Sequence, residues 1–372
     1  MKGNATTLTD DLLDLLQAKE QLIERQNKLI WKLMEDKKNS GAEFLLPGEK
    51  IFVENLFCDE IRDGFVVTAQ RKRLWNVQLN LIAELDRICQ KHNIRWFAYA
   101  GTLLGAVRHK GYIPWDDDID ICMLRPDYEK FKAVVKNELA EQYFVDGWQD
   151  YKLEDEEPEA AQDISFRQFV KREQREKYPL RWPFWPMIKI KDSRTTFVQY
   201  LDRSHVHQGI WIDVFPFDPV PPFSDDQHKI KYELEREMLI SITLPDKIKE
   251  AAETKKLLVK KTDLENFLKL PHTKKALAFD AFALKNFSSP EFVGELRDFC
   301  LIKRRRAYKF TNFDKTVYLP FEKIKLPCPV GYEDCLTSGF GDWRKPVFYP
   351  PHAHVYSADF SYEEFFKSVK FI

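Results

Sequence analysis

The chain has almost no net charge. Its 58 lysines and arginines oppose 59 aspartates and glutamates, leaving −1 over 372 residues, so no global field draws it to nucleic acid or to an anionic membrane. It has few cysteines and no CxxC pairing among Cys58, Cys89, Cys122, Cys300, Cys328 and Cys335. That argues against a disulfide framework and points to a reducing compartment. No stretch of 18 uncharged apolar residues occurs, and the opening "MKGNATTLTDDLLDLL" lacks a basic segment followed by an apolar one. The expectation is a cytoplasmic protein without a membrane span. Internal repeats and low-complexity tracts are missing as well, so function must be read from local sites.

The composition is that of a globular protein, with 44% hydrophobic residues and 29 phenylalanines. The length suffices for one large domain or two ordinary ones. Over 8–38, Leu12, Leu15, Leu22, Leu29 and Leu33 form a helical seam, with Thr9 or Asp10 as N-cap. The seam admits a homodimeric coiled coil, and equally docking on its own domain or on a membrane surface. A linker over 41–70 follows. Leu74, Val77, Leu81, Leu85 and Ile88 predict a helix over about 70–92, and "IRWFAYA" (94–100) predicts a buried strand. The glycine-punctuated "GTLLGAVRHKGYIP" leads to a strand at "DIDICML" and a helix at "RPDYEKFKAVVKNELA", Pro126 lying in its first turn. Further strands are expected at 163–172, "MIKIKD", "TFVQYL" and "GIWIDVFPFD". From 224 to 310 the pattern turns helical and charged, ending in "KRRR" at 303–306, whose plain reading is a solvated helix face. A proline- and aromatic-rich segment, 311–372, closes the chain.

One stretch raises a physical question. Asp116, Asp117, Asp118 and Asp120 fall within five positions ahead of an apolar run. Carboxylates this close repel by roughly 1 kcal/mol per pair at 4 Å in water and about 4 kcal/mol at an effective dielectric near 20. In a strand, residues i and i+2 share a face about 6.8 Å apart, so Asp118 and Asp120 point one way while Ile119 and Ile121 point into the core. A solvated acidic turn is the bland alternative, but the strict alternation of "DIDI" argues against it. Oxygen donors with no histidine or cysteine between them suit Mg²⁺ or Mn²⁺, which commonly shares its sphere with substrate phosphates. Asp116 and Asp117 then lie in the turn after Pro114-Trp115 as supporting groups or a second metal edge.

Asp213, between Ile212 and Val214, is a lone acid in an apolar strand. Such a group is costly to bury unless paired or metal-bound, and it is the natural third ligand beside Asp118 and Asp120. Gly101 and Thr102 at a strand-to-helix turn offer backbone N–H groups and a hydroxyl to a phosphate, with Arg108, His109 and Lys110 available to face the same pocket. Lys189 and Lys191 alternate with Ile188 and Ile190 and so project to one side, toward a diphosphate or merely toward solvent. His205 with His207, and His352 with His354, have zinc-like spacing but no third ligand near in sequence.

The ordered set Gly101-Thr102, Asp118-Ile119-Asp120 and Ile212-Asp213-Val214 resembles the signature of polymerase-β-like nucleotidyltransferases. More specifically, "WFAYAGTLLGAVRHKGYIPWDDDIDI" resembles the hallmark of the LicD family, which includes bacterial phosphocholine transferases and fukutin-related proteins that move ribitol phosphate. The likeness extends to "IKIKDSRTT", to "GIWIDVFPFD" and more loosely to 318–350, around Gly341-Asp342-Trp343 and Pro346. It implies an α/β (α+β) class with a mixed sheet and a catalytic core over 71–223 completed by 311–372; the helical stretch over 224–310, inserted or appended, and the first 70 residues lie outside the resemblance. It implies a divalent metal, a CDP-linked alcohol as donor, and a sugar hydroxyl of a glycan or lipid-linked oligosaccharide as acceptor. Two departures stand out: no Golgi anchor of the fukutin kind, which suits a cytosolic bacterial-type enzyme, and no zinc-binding cysteine cluster.

On that resemblance Asp118 and Asp120 bind the metal, Asp213 completes the site and takes the acceptor proton, and Arg108, Lys189 and Lys191 offset phosphate charge. Phosphocholine is the expected cargo, with ribitol, glycerol or another alcohol as alternatives; a quaternary ammonium suits an aromatic cage, and Trp115, Trp182, Trp185 and Trp211 are either lining of such a pocket or plain core. The rival reactions are transfer of an NMP on the same fold, which releases pyrophosphate rather than CMP, and a non-catalytic scaffold assembled by the 8–38 helix.

Overall fold

A computed structural model describes residues 46–147, 186–198, 207–254, 257–288, 290–302, 306–348 and 355–368. The expected helix over 8–38, the strand over 163–172, Trp182, Trp185, His205, His352, His354 and residues 303–305 lie outside them.

A short hairpin, β1 (Glu60–Arg62) and β2 (Phe65–Val67), precedes helix α1 (Ala69–Lys91). Thr68 caps α1 by accepting from the Arg71 N–H at 3.1 Å. All five apolar residues that predict this helix are buried. The strand expected over 94–100 shrinks to β3 (Phe97–Ala98), because α2 (Ala100–Arg108) starts at once. Ala100 enters α2 at φ +46°, a left-handed conformation for a non-glycine residue, marking a sharp strand-to-helix corner.

The next strand, β4 (Asp120–Leu124), runs directly into α3 (Arg125–Glu138), with Pro126 in its first turn. Then come β5 (Tyr143–Gly147), β6 (Ile188–Asp192), β7 (Thr196–Val198) and the ten-residue β8 (Ile210–Pro219). Four helices follow, α4 (Asp226–Thr243), α5 (Pro245–Thr254), α6 (Lys261–Leu268) and α7 (His272–Asn286). Tyr232, Leu239, Ile242, Ala276, Phe279, Ala283 and Leu296 form their own apolar cluster. The chain then rejoins the sheet at β9 (Phe292–Gly294) and β10 (Tyr308–Lys309). It ends in the hairpin β11 (Thr316–Phe321) and β12 (Ile324–Pro329), helix α8 (Tyr332–Phe340), β13 (Val355–Ser357), paired with β7, and α9 (Tyr362–Ser368). The β11–β12 hairpin and α8 pack on α2 and β3.

The main sheet is mixed and the fold is α+β. Strand β8 is central: β4 pairs with it in parallel, β6 antiparallel along its first half, and β9 antiparallel at its end. Residues in register share a face. Ile121, Ile188, Ile190, Ile212 and Val214, all fully buried, make one face, which packs against α1. The other face carries a crosswise row from β4 to β5: Asp120, Asp213, Lys189 and Asp146. No helix of the described residues is long and apolar enough to cross a membrane.

Candidate active site

The row of polar side chains sits where β4 begins, and the loop before it brings three more carboxylates. Asp116, Asp117 and Asp118 each offer an oxygen within 4.8 Å of the others. The loop is pinned by its backbone. The Asp116 carbonyl accepts from Arg71 Nη1 at 2.8 Å and from Trp75 Nε1 at 3.0 Å, and the Asp117 carbonyl from Gln78 Nε2 at 2.9 Å. Gln78 also reaches the Trp211 carbonyl at 3.3 Å, so one face of α1 ties the loop to β8. Trp75 stacks on Tyr112, whose hydroxyl donates to Gln78 Oε1. Sequence reasoning missed these three anchors. The available signal was polar and aromatic residues at 71, 75 and 78, one helical face, beside an apolar stripe already sufficient for a core.

The strand expected from Asp118 begins two residues later, at Asp120. The Asp213 N–H nevertheless donates to the Ile119 carbonyl at 2.9 Å, joining the approach to β4 with β8. Asp120 and Asp213 lie side by side in register. Thr102 fixes the corner, its hydroxyl accepting from the Asp120 N–H at 2.9 Å. Gly101 lies beneath the loop: a Cβ there would stand 2.6 Å from Asp116 Oδ2, so only glycine admits the carboxylate. Gly101 and Thr102 thus first of all shape the acidic loop.

The basic residues are placed differently from a shared phosphate cradle. Lys189 donates to Asp213 Oδ1, and its ammonium lies 4.5 Å from the Trp211 ring centre. Trp211 Nε1 donates to Asp213 Oδ2 at 3.3 Å, so both oxygens of Asp213 are oriented. Lys191 pairs with Asp146 and donates to the His207 carbonyl at 2.8 Å. The shared face of the two lysines was legible, and their carboxylate partners follow from strand register. Arg108 donates to the Trp343 carbonyl and to His109, which pairs with Asp63. His207 stacks on Phe144 and contacts Ser193, with its pKa pushed down to about 3 by burial and then by Lys191. Trp115 packs against Phe65 and Phe348 at the loop's entrance. All six cysteines are free thiols.

The electrostatics are those of crowded acids. Burial, then Asp118, Asp120 and Asp117, holds the Asp116 carboxyl well above the usual aspartate range. Burial, then Asp118, Asp213 and Glu295, does the same for Asp120, against a smaller opposing pull from Arg297. Glu295 is a further acid that sequence reasoning missed, its pKa pushed up to about 8 chiefly by burial. Clustered hard oxygen donors whose mutual repulsion a dication would relieve fit Mg²⁺ or Mn²⁺.

Residues 93–222 match the family described as LicD/FKTN/FKRP, nucleotidyltransferase domain. The chain is 28% identical over 272 residues to the lipopolysaccharide cholinephosphotransferase LicD of Haemophilus influenzae, spanning 72% of this chain and 89% of that protein. Shorter matches join it to uncharacterised proteins of Rickettsia typhi (42% over 55 residues, 15% of this chain and 18% of that protein) and Rickettsia prowazekii (47% over 47 residues, 13% and 18%).

Proposed function

Residues 93–222 match the nucleotidyltransferase domain of the LicD family, and on that premise we propose that the chain transfers phosphocholine from CDP-choline to a sugar hydroxyl of a cell-surface glycan or its lipid-linked precursor, at the cytoplasmic face of the membrane. The observation that carries the reading is the convergence of Asp116, Asp117, Asp118, Asp120 and Asp213 from one loop and two parallel strands. The similarity to a cholinephosphotransferase indicates the cargo. Asp118 and Asp120 would hold the dication, with Asp116 beside them at the second metal edge. When bound, the ion neutralises charge on the donor phosphates and on departing CMP.

The chain's own residues supply the rest. Asp213, oriented by Lys189 and Trp211, accepts the acceptor hydroxyl's proton as its oxygen bonds to the choline-bearing phosphorus. The P–O bond to CMP breaks, and CMP carries away that electron pair. Arg71, Trp75 and Gln78 keep the acidic loop from moving as the site fills.

Purified protein with Mg²⁺, CDP-choline and bacterial glycolipid should release CMP and add the mass of phosphocholine to the glycan. Pyrophosphate release from CTP in its place would establish nucleotidyl transfer, the reaction implied by the domain's description. Binding of none of CDP-choline, CDP-ribitol, CDP-glycerol and CTP in a metal-dependent thermal-shift screen would return the protein to the scaffold reading.

A further inference from the structure

The chain re-enters the sheet at β9, outside the 93–222 match, and the residues just after it turn toward the acids. Val293 and Gly294 pair antiparallel with Pro219 and Asp218, and the chain leaves the ladder at Glu295 and turns helical over 296–302. The Arg297 guanidinium lies 5.2 Å from the ring centre of Phe215, two residues from Asp213 and on the same face of the strand. Arg297 forms an ion pair with Glu295, and a longer one, 3.6 Å, with Asp298. The Arg297 side chain is 16% exposed and that of Glu295 5%. Both charges bear on Asp120, and the charge of Asp213 bears on Glu295. They therefore belong to the same site as the aspartates.

A buried ion pair is a weak source of stability, commonly matched by apolar residues of the same volume. Its place beside Asp120 and Asp213 suggests another use. A dication offsets two charges, and a diphosphate donor brings its own negative charge. Lys189, Lys191 and Arg108 are engaged with Asp213, Asp146 and the Trp343 carbonyl, and Arg297 with Glu295 and Asp298, so what sets Arg297 apart is its place over Phe215 beside Asp213 and not a free charge. A guanidinium is the side chain that matches phosphate geometry through paired N–H donors, and the face of Phe215 orients this one.

We propose that Arg297 binds the donor's phosphates and that Glu295 positions its guanidinium for them, so that the return from the helical layer completes the donor site. This rests on the reading of a nucleoside-diphosphate donor, and the probes separate the two claims. Inorganic pyrophosphate with Mg²⁺ reports phosphate binding whatever the donor, and CDP-choline with Mg²⁺ reports the donor itself.

In calorimetry, Arg297→Gln should weaken pyrophosphate and CDP-choline binding about 10- to 100-fold, equivalent to about 1.4–2.7 kcal/mol, and lower the melting temperature because Glu295 loses its partner, whereas Arg297→Gln/Glu295→Gln should regain the melting temperature but not pyrophosphate binding. Arg297→Lys should recover part of it, and Glu295→Gln should raise KM for the donor more than it lowers kcat. Pyrophosphate affinity within twofold of wild type in folded Arg297→Gln would overturn the assignment, as would wild type that fails to bind pyrophosphate. Should Arg297→Gln not fold, Arg297→Gln/Glu295→Gln, which leaves no stranded carboxyl, decides by the same criterion. Wild type that binds pyrophosphate but no CDP-alcohol would overturn the donor reading and leave Arg297 judged by pyrophosphate alone.

Discussion

At the scale of single residues, the site rests on carboxylates whose positions differ in how easily they could be read. Asp118, Asp120 and Asp213 announced themselves by alternating with isoleucine and valine, since an acid in a buried strand needs a partner. Asp116 gave no such signal because it lies in a turn without periodicity, and only the fold shows its carboxylate over Gly101. The functional proposal makes Asp118→Asn and Asp213→Asn folded proteins with CMP release lowered by about 10²–10⁴-fold, the span of a lost acid–base or charge-stabilising group. Near-wild-type turnover in either, with an unchanged melting curve, would remove that residue from the mechanism. Gly101→Ala is a sharper probe of geometry. Its methyl displaces Asp116 Oδ2, the movable end of a side chain, so the fold should persist while Mg²⁺ affinity falls severalfold. Titration calorimetry of that variant reading wild-type Mg²⁺ affinity would show that Asp116 lies outside the metal site.

At the scale of elements, helices were legible from spacing, whereas strand ends and ion partners were not. Helix α1 begins within a residue of its expected start because Thr68 and the apolar stripe are local signals. Strand β3 is shorter than its aromatic run because a helix claims Ala100, a tertiary decision. The junction between sheet and helical layer was wholly hidden. Arg125, at the start of α3, makes two bonds to Asp218 of β8, at 2.6 and 2.5 Å, and one to Asp280 of α7 at 3.2 Å. Lys132 adds a bond to Asp280 at 2.6 Å. These positions are too far apart in sequence for any local pattern to connect them. Arg125 is fully buried, and Asp218 and Asp280 are 1% and 2% exposed. Arg125→Met would strand Asp218 and leave Asp280 to Lys132, and should cost about 3–5 kcal/mol, read as a lowered urea midpoint. Arg125→Met with Asp218→Asn and Asp280→Asn should recover much of that loss. A triple variant no more stable than Arg125→Met would mean that packing, rather than stranded charge, holds the layers together.

At the scale of the whole molecule, a nearly neutral protein concentrates its unfavourable charge in one place, which couples folding, pH and metal. The carboxyls of Asp116 and Asp120 titrate well above the ordinary aspartate value of 3.8 when folded. The folded state therefore holds more protons than the unfolded chain from about pH 4 upward, so the contribution of these groups to stability falls as pH rises through that window. Carboxylates with lowered values, such as Glu60 and Glu84, pull the other way on acidification. The comparison that isolates the site is thus wild type against Asp116→Asn/Asp120→Asn across pH. Metal-free, the variant should gain on wild type as pH climbs. Mg²⁺ competes with the same protons, so its stabilisation of wild type should be slight near pH 4 and grow toward neutrality, reaching about 2.7 kcal/mol at 100 times its dissociation constant. The variant should show little of that gain. Equal Mg²⁺ stabilisation at both pH values, or in both proteins, would mean that the crowded aspartates are not where the dication binds, and the proposed reaction would lose its centre.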